Sequence, residues 1–162
     1  VVSFDQLLIE HLHELCKSMA KPPKWEVVLK ADATDASSMH WSRLQMLVKK
    51  ALPGIAQTIL ELKKPVLLVD PGLIARYRLV DTWLSELRRQ FEMPPEPRAL
   101  WMLIDNDLTT SAAIIDGVTV PTGQGSGQFA TIPSAWLVRE QTNKESGSKP
   151  NPLPAKTEKF DA

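Results

Sequence analysis

Acidic residues follow two apolar segments of the sequence. Asp70 comes directly after residues 66–69, and Asp105 and Asp107 come after residues 100–104. Because the carboxyl ends of neighbouring parallel strands meet at one edge of a sheet, these aspartates could lie together and hold Mg²⁺ through their oxygen atoms. Turns also favour aspartate, since its side chain bonds to nearby backbone N–H groups. We favour the turn and keep the metal site as the alternative.

The segment that ends at Asp70 has the form of a Walker B strand, in which the acid helps to hold Mg²⁺ beside a nucleotide phosphate. The partner motif G-x-x-x-x-G-K-[ST] does not occur in the sequence, and neither do the kinase motifs G-x-G-x-x-G-x-V, H-R-D and D-F-G. The glycines of residues 122–128 lie outside any βαβ unit, so we interpret them as a surface loop. The sequence therefore predicts no cofactor, with Mg²⁺ and ATP as the alternative, and it favours a chain that is not itself an enzyme.

A second candidate is the motif PGLIARY at residues 71–77, which begins where the second predicted strand ends. Pro71 and Gly72 are expected to turn the chain, and Arg76 and Tyr77 to set the following helix against the sheet. Tyr77 begins an apolar stripe, so its ring should be buried while its hydroxyl finds a polar partner. We treat these four residues as a candidate functional motif.

The elements that would position these residues follow from apolar periodicity and capping signals. Ser3 and Gln6 form a capping box at the start of one helix, and a longer helix contains Pro53-Gly54, which predicts a kink or a break. The dipeptide Asp116-Gly117 between two apolar runs is a strong hairpin signal. The predicted strands are residues 25–31, 66–69 and 100–104, the second covered on both faces, and the predicted helices are residues 3–19, 38–63, 77–91 and 133–137.

Strand, helix and strand alternate in the middle of the chain, which predicts parallel pairing. We therefore expect an α/β fold with a small, mostly parallel sheet, flanking helices, a β-hairpin after the third strand and a disordered C-terminal tail. Residues 1–140 would form a single domain of a larger protein. Residues 141–162 are poor in apolar residues and rich in Ser, Pro and Lys, so they are predicted to be a flexible tail or linker.

Composition and charge narrow the class of protein. Hydrophobic residues make up 43% and charged residues 23% of the 162 residues, as in ordinary globular domains. The 19 basic residues are balanced by 19 acidic ones, which argues against direct binding of nucleic acid. No apolar run approaches the roughly 20 residues that span a bilayer, so no membrane partner is predicted.

The rarer residue types are assigned to the core. The single cysteine, Cys16, lies in a helical apolar pattern and fits a packed thiol in a reducing cytoplasm. Four of the five tryptophans fall on apolar stripes or strands. We therefore expect core placement for them rather than base stacking.

Three stretches carry a family resemblance: VVLKADATDASSMHWSRLQMLVKKALP, then VLLVDPGLIARY with ALWMLID, and then IIDGVTVPTGQGSGQFATIPSAWL. In this order they resemble the C-terminal region of the large serine/threonine-kinase-type proteins of bacterial phage-defence systems, of the phage growth limitation and BREX type 2 kind. The resemblance covers residues 25–137. Its most specific parts are residues 71–77 and 132–137.

The resemblance implies a cytoplasmic domain at the far end of a multidomain defence protein, working with other domains or subunits of a defence complex. The family's phosphotransfer activity cannot be carried over to any residue here, because the kinase motifs are absent. Two functions stay open. The first is a non-catalytic protein-interaction or assembly module, and the alternative is a nucleotide- or Mg²⁺-binding domain with its site at the strand ends, at Asp70 and Asp105.

Overall fold

The computed structural model describes residues 1–93, 99–105, 112–122, 130–133 and 135. The chain divides into two compact units, Val1–Gln128 and Phe129–Ala162, and the elements below belong to the first. In chain order they are β1 (Val2–Ser3), α1 (Phe4–Ser18), α2 (Trp25–Asp32), α3 (Met39–Glu61), β2 (Val66–Val69), α4 (Gly72–Arg76), a π-helix (Val80–Leu84), α5 (Ser85–Glu92), β3 (Leu100–Met102), β4 (Ile114–Ile115) and β5 (Val118–Thr119). The predicted α/β class is confirmed. Within these described ranges, every helix is too short or too polar to cross a membrane.

The main sheet has three parallel strands in the order β1-β2-β3. Leu68 pairs with Val2 on one side and with Met102 on the other. β4 and β5 form the separate antiparallel hairpin that the sequence predicts. Its turn residues Asp116 and Gly117 have φ angles of 45° and 80°, because a type I′ turn needs positive φ at both central positions.

β2 sends alternate side chains to opposite faces of the sheet. Val66 and Leu68 are buried in the core, whereas Leu67 and Val69 are half-buried. A parallel strand that is covered on both faces would bury all four side chains. One face of β2 is therefore less completely covered than the sequence predicts.

β3 continues this uncovered face. Trp101 pairs with Leu67 in the sheet register, and its side chain is 52% exposed. Leu103 follows two residues later on the same side and is 45% exposed. The prediction that Trp101 lies in the core is therefore wrong. We name four side chains the open sheet face: Leu67, Val69, Trp101 and Leu103.

Residues 25–31 form a helix, not the predicted strand. The segment is rich in β-favouring types, but its buried side chains Val28 and Ala31 lie three residues apart, as on one face of a helix. Glu26 and Lys30 also suit the first and last turns of a helix. Tertiary packing has therefore overridden a weak β propensity.

The two long helices largely follow their predicted patterns. The hydroxyl of Ser3 accepts a hydrogen bond from the Gln6 N–H and so caps α1, although the Gln6 side chain turns to Glu10 instead of completing the capping box. α3 runs without a break through Pro53 and Gly54. The predicted break is therefore absent.

The helices pack on the covered face of the sheet around one hydrophobic core. Cys16 is among the buried residues, as predicted. The predicted stripe from Tyr77 to Phe91 is buried too, although the chain forms it with a π-helix and α5 instead of one continuous helix. The largest fully buried side chains are Phe4, Phe91, Leu8, Ile55, Ile59, Leu68, Ile74, Leu79, Leu87, Val48, Val66 and Val80.

A left-handed residue ends α4. Arg78 has a φ of 57°, the N–H of Leu79 bonds back to the Ile74 carbonyl, and the N–H of Arg78 bonds back to the Ala75 carbonyl. This pair of bonds is the Schellman arrangement, in which glycine is the usual residue at the position of Arg78. The arrangement reverses the chain before the π-helix begins.

The short helix predicted at residues 133–137 and the tail at residues 141–162 fall largely or wholly outside the described residues. Both stay predictions, as does the domain boundary after residue 140.

Candidate functional site

Asp70 lies at the carboxyl end of the central strand, as predicted. Its side chain is exposed, and its backbone has a φ of 51°, a left-handed conformation that is uncommon for residues other than glycine. Its carbonyl oxygen accepts a hydrogen bond of 3.3 Å from the N–H of Asp5, the second residue of α1. The end of β2 and the start of α1 therefore meet at Asp70.

Asp5 and Asp116 both lie close to Gly72, the first residue of α4. The Asp5 Oδ1 atom accepts a 3.0 Å hydrogen bond from the N–H of Leu73. A Cβ atom at position 72 would stand 3.2 Å from Asp116 Oδ2 and 3.6 Å from Asp5 Oδ2. A larger residue at position 72 would therefore require the exposed Asp116 side chain to move by a few tenths of an ångström.

The charged groups that shift the pKa of Asp5 are the carboxylates of Asp70 and Asp116. Burial raises the pKa of Asp5 above its usual value, and the nearby carboxylates of Asp70 and Asp116 raise it further, against the opposing effect of the Leu73 N–H. We name Asp5, Asp70 and Asp116 the acidic edge. Repulsion of the ionised Asp5 carboxylate by Asp70 and Asp116 disfavours the folded state.

Asp105 and Asp107 are the predicted partners of Asp70 in a metal site. Asp105 follows β3 and is exposed, and Asp107 lies outside the described residues. The acids that act on Asp5 are Asp70 and Asp116, one of which was predicted only as a turn residue. Across the part of the chain that the structure describes, no group of three or more His, Cys, Asp or Glu side chains could hold a metal ion. The Mg²⁺ site stays a prediction without structural support.

Asp5 was missed as a neighbour of Asp70 because β1 could not be recognised. A strand of two residues has no periodicity, and Ser3 carries a clear helix-capping signal instead. The one available signal was the apolar pair Val1-Val2 just before the cap. Had this pair been assigned to a parallel strand, Asp5 would have been expected at the same edge as Asp70.

The motif at residues 71–77 makes internal contacts. The Tyr77 side chain is only 7% exposed, and its hydroxyl donates a 2.8 Å hydrogen bond to Asp32 Oδ1. Arg76 donates from Nε to the same carboxylate oxygen at 2.8 Å and from Nη2 to the Asp32 carbonyl at 2.6 Å. The prediction of a buried ring with a bonded hydroxyl is confirmed. We name Asp32, Arg76 and Tyr77 the Asp32 cluster.

Trp41, in the first turn of α3, completes the surroundings of this cluster. Its ring centroid lies 5.6 Å from that of Tyr77, and the Arg76 guanidinium lies 5.3 Å from the same Trp41 ring. The second distance is within the range of a cation–π interaction. Ser38 caps α3 by accepting a hydrogen bond from the Trp41 N–H. The motif thus ties α4 to the end of α2 and the start of α3, rather than to the sheet.

The contacts of the cluster raise the pKa values of Arg76 and Tyr77. Burial and the hydrogen bond to Asp32 raise the pKa of Tyr77 far above its usual value. The hydrogen bond to Asp32 also raises the pKa of Arg76. Tyr77 is therefore neutral and Arg76 charged at neutral pH, and neither side chain is suited to proton transfer there.

No protein-family model matches the chain, and no solved structure matches it. The sequence is similar to the Probable kinase PglW of Streptomyces coelicolor, with 30% identity over 146 residues that take in 84% of this chain and 9% of that protein. The chain therefore corresponds to less than a tenth of the curated relative that it matches, and the resemblance to a kinase-type protein rests on that part alone.

Proposed function

We propose that the chain is a non-catalytic protein-interaction or assembly module of a bacterial anti-phage defence protein, of the phage growth limitation or BREX type 2 kind. The observation that carries this proposal is the similarity to the Probable kinase PglW, which takes in 84% of this chain and 9% of that protein. A segment of this size is typical of one domain among several. Its partners would be other domains or subunits of a cytoplasmic defence complex.

The contacts of the most specific motif support a module without chemistry of its own. Arg76 and Tyr77 direct their polar atoms at Asp32, and the Tyr77 ring is buried against Trp41. A catalytic acid or base needs access to substrate and a pKa near the working pH. Burial and the bond to Asp32 give Tyr77 the opposite properties.

Thermal unfolding in the presence of Mg²⁺ and ATP tests this proposal against the nucleotide-binding alternative. A ligand that binds only the folded form raises the melting temperature, so the module is expected to show no dose-dependent rise with Mg²⁺, with ATP or with both. The matched control is Asp70→Asn, which removes the charge of the predicted metal ligand. A rise that Asp70→Asn abolishes would reject the non-catalytic module and assign the alternative site to the strand ends.

The defence role is tested in bacteria that carry the gene encoding this chain. In-frame deletion of the segment encoding residues 1–140 is expected to abolish protection, measured as the plating efficiency of phage. The same strain with only residues 141–162 deleted is the control. Unchanged protection after the first deletion would contradict a role for this domain in defence.

A further inference from the structure

The open sheet face is a continuous apolar surface. Register places Trp101 beside Leu67, and Leu103 continues along β3 next to the position of Val69. Single exposed apolar residues are normal on protein surfaces, but a contiguous patch marks an interaction site. Trp101, at 52% exposure, leaves a large aromatic surface in water that burial against a partner would stabilise.

Acidic and basic residues lie at opposite ends of the open sheet face. At the carboxyl ends of β2 and β3 lie the exposed side chains of Asp70 and Asp105. At the other end of β2, the exposed Lys63 and Lys64 come just before the strand. A partner that covers the face would therefore be favoured by positive charge at the acidic end.

The packing rules of α/β folds favour a helix on the open sheet face. A parallel sheet is ordinarily covered by helices on both faces, because its strands are apolar on both sides. In the described part of the chain, the helices cover the face formed by Val66 and Leu68, while the other face stays open. A helix with an apolar stripe would complete the three-layer arrangement.

We propose that the open sheet face docks an amphipathic helix of a partner domain or protein, with its apolar stripe on Trp101 and Leu103 and its basic end beside Asp70 and Asp105. This inference rests on the proposed function as an interaction module and names the surface and the chemistry of the partner. The helix lies along the strands, because its apolar stripe follows Trp101 and Leu103 along β3 towards the acidic ends of the strands.

Three synthetic helical peptides test the proposal with the full chain. The first has a Leu stripe and Lys residues at one end, the second has Glu in place of Lys, and the third is a scrambled form of the first. Titration calorimetry is expected to show that the Lys peptide binds about tenfold or more tightly than the Glu peptide and that the scrambled peptide does not bind.

Variants of the chain locate the binding surface. Trp101→Ser is expected to weaken binding of the Lys peptide about tenfold or more, because a central aromatic residue dominates such interfaces. The matched control is Leu29→Ser, since Leu29 is 55% exposed on α2, outside the sheet. This control is expected to change the affinity by less than about twofold. Urea denaturation of both variants establishes that they fold.

Several outcomes would overturn the proposal. These are equal binding of the Lys and Glu peptides, no binding of either, retained binding in folded Trp101→Ser, or an equal loss in Leu29→Ser. A dimer of the unmodified chain that Trp101→Ser dissociates in ultracentrifugation would assign the face to a second copy instead. Stabilisation by Mg²⁺ and ATP would reject the non-catalytic module but leave the peptide result standing, so the two failures are distinguishable.

Discussion

Asp70 combines two unfavourable features, and removing them should stabilise the protein. Its backbone is left-handed, with a φ of 51°. Its carboxylate and that of Asp116 both raise the pKa of Asp5. Asp70→Asn keeps the size of the side chain and removes only the charge. Asp70→Gly removes the charge and also relieves the backbone. The two substitutions together separate repulsion from strain.

The expected magnitudes follow from exposure. Asp70 is exposed, so water and salt screen its repulsion, and relief of one such pair is worth roughly 0.2–1 kcal/mol. A left-handed backbone costs an ordinary residue about 1–2 kcal/mol and aspartate less, because aspartate visits this region more often. We expect Asp70→Asn to raise the free energy of unfolding by about 0.5 kcal/mol and Asp70→Gly by about 1–1.5 kcal/mol.

The pH dependence gives the sign of the charge effect. The pKa of Asp5 in the folded state is raised above its usual value of 3.8, first by burial and then by Asp70 and Asp116. The folded state therefore binds a proton more readily than the unfolded state, so stability rises as the pH falls through the raised pKa. The advantage of Asp70→Asn should be largest at pH 7 and shrink towards pH 4.

Urea denaturation at pH 7 and pH 4, at low and high salt, measures these differences. Arg78→Gly is the matched control, because Arg78 has a similar φ of 57° but lies outside the acidic edge. It should gain about 1 kcal/mol, with little dependence on pH. The reasoning is refuted if Asp70→Asn destabilises the protein at pH 7, or if its gain is the same at pH 4 and in high salt.

Three further experiments test the burial of Tyr77, the cap of α3 and the predicted C-terminal tail. Tyr77→Ala should lower the free energy of unfolding, measured by urea denaturation, by about 3–5 kcal/mol. Asp70→Ala should change it by less than about 1 kcal/mol. Similar losses in the two variants would contradict the burial of the Tyr77 ring. Ser38→Ala should cost about 1 kcal/mol by loss of the α3 cap, while the control Ser42→Ala should stay within about 0.5 kcal/mol. Deleting the residues after Gln141 should leave the melting temperature nearly unchanged, and a loss of several degrees would show that the tail packs.

Local signals predicted the elements with strong periodicity or special backbone needs. The hairpin followed from Asp116-Gly117, the α1 cap from Ser3, and the burial of Tyr77 from its place at the head of an apolar stripe. Each of these signals lies within a few residues of the feature that it specifies. Their physical cause is local, so sequence is sufficient to find them.

Features that depend on distant packing were not predictable in the same way. The β-favouring residues of α2 became helical because Val28 and Ala31 pack into the core. The open sheet face could not be foreseen, because an apolar run in the sequence does not tell whether a second layer covers it. The approach of Asp5 to Asp70 depends on β1, whose two residues carry no pattern.

The pairing of β1 with β2 constrains the order in which the chain can fold during synthesis. Val2 pairs with Leu68, so the first strand has no neighbour until the ribosome has released the second. α1 and α3 can meet earlier, and His11 and Thr58 already join them across a 3.3 Å contact. Contacts between such distant parts of a sequence slow folding. A nascent chain that ends before Val66 should therefore have helices in this domain but lack its sheet, with residues 2–3 unpaired and exposed to chaperones and proteases.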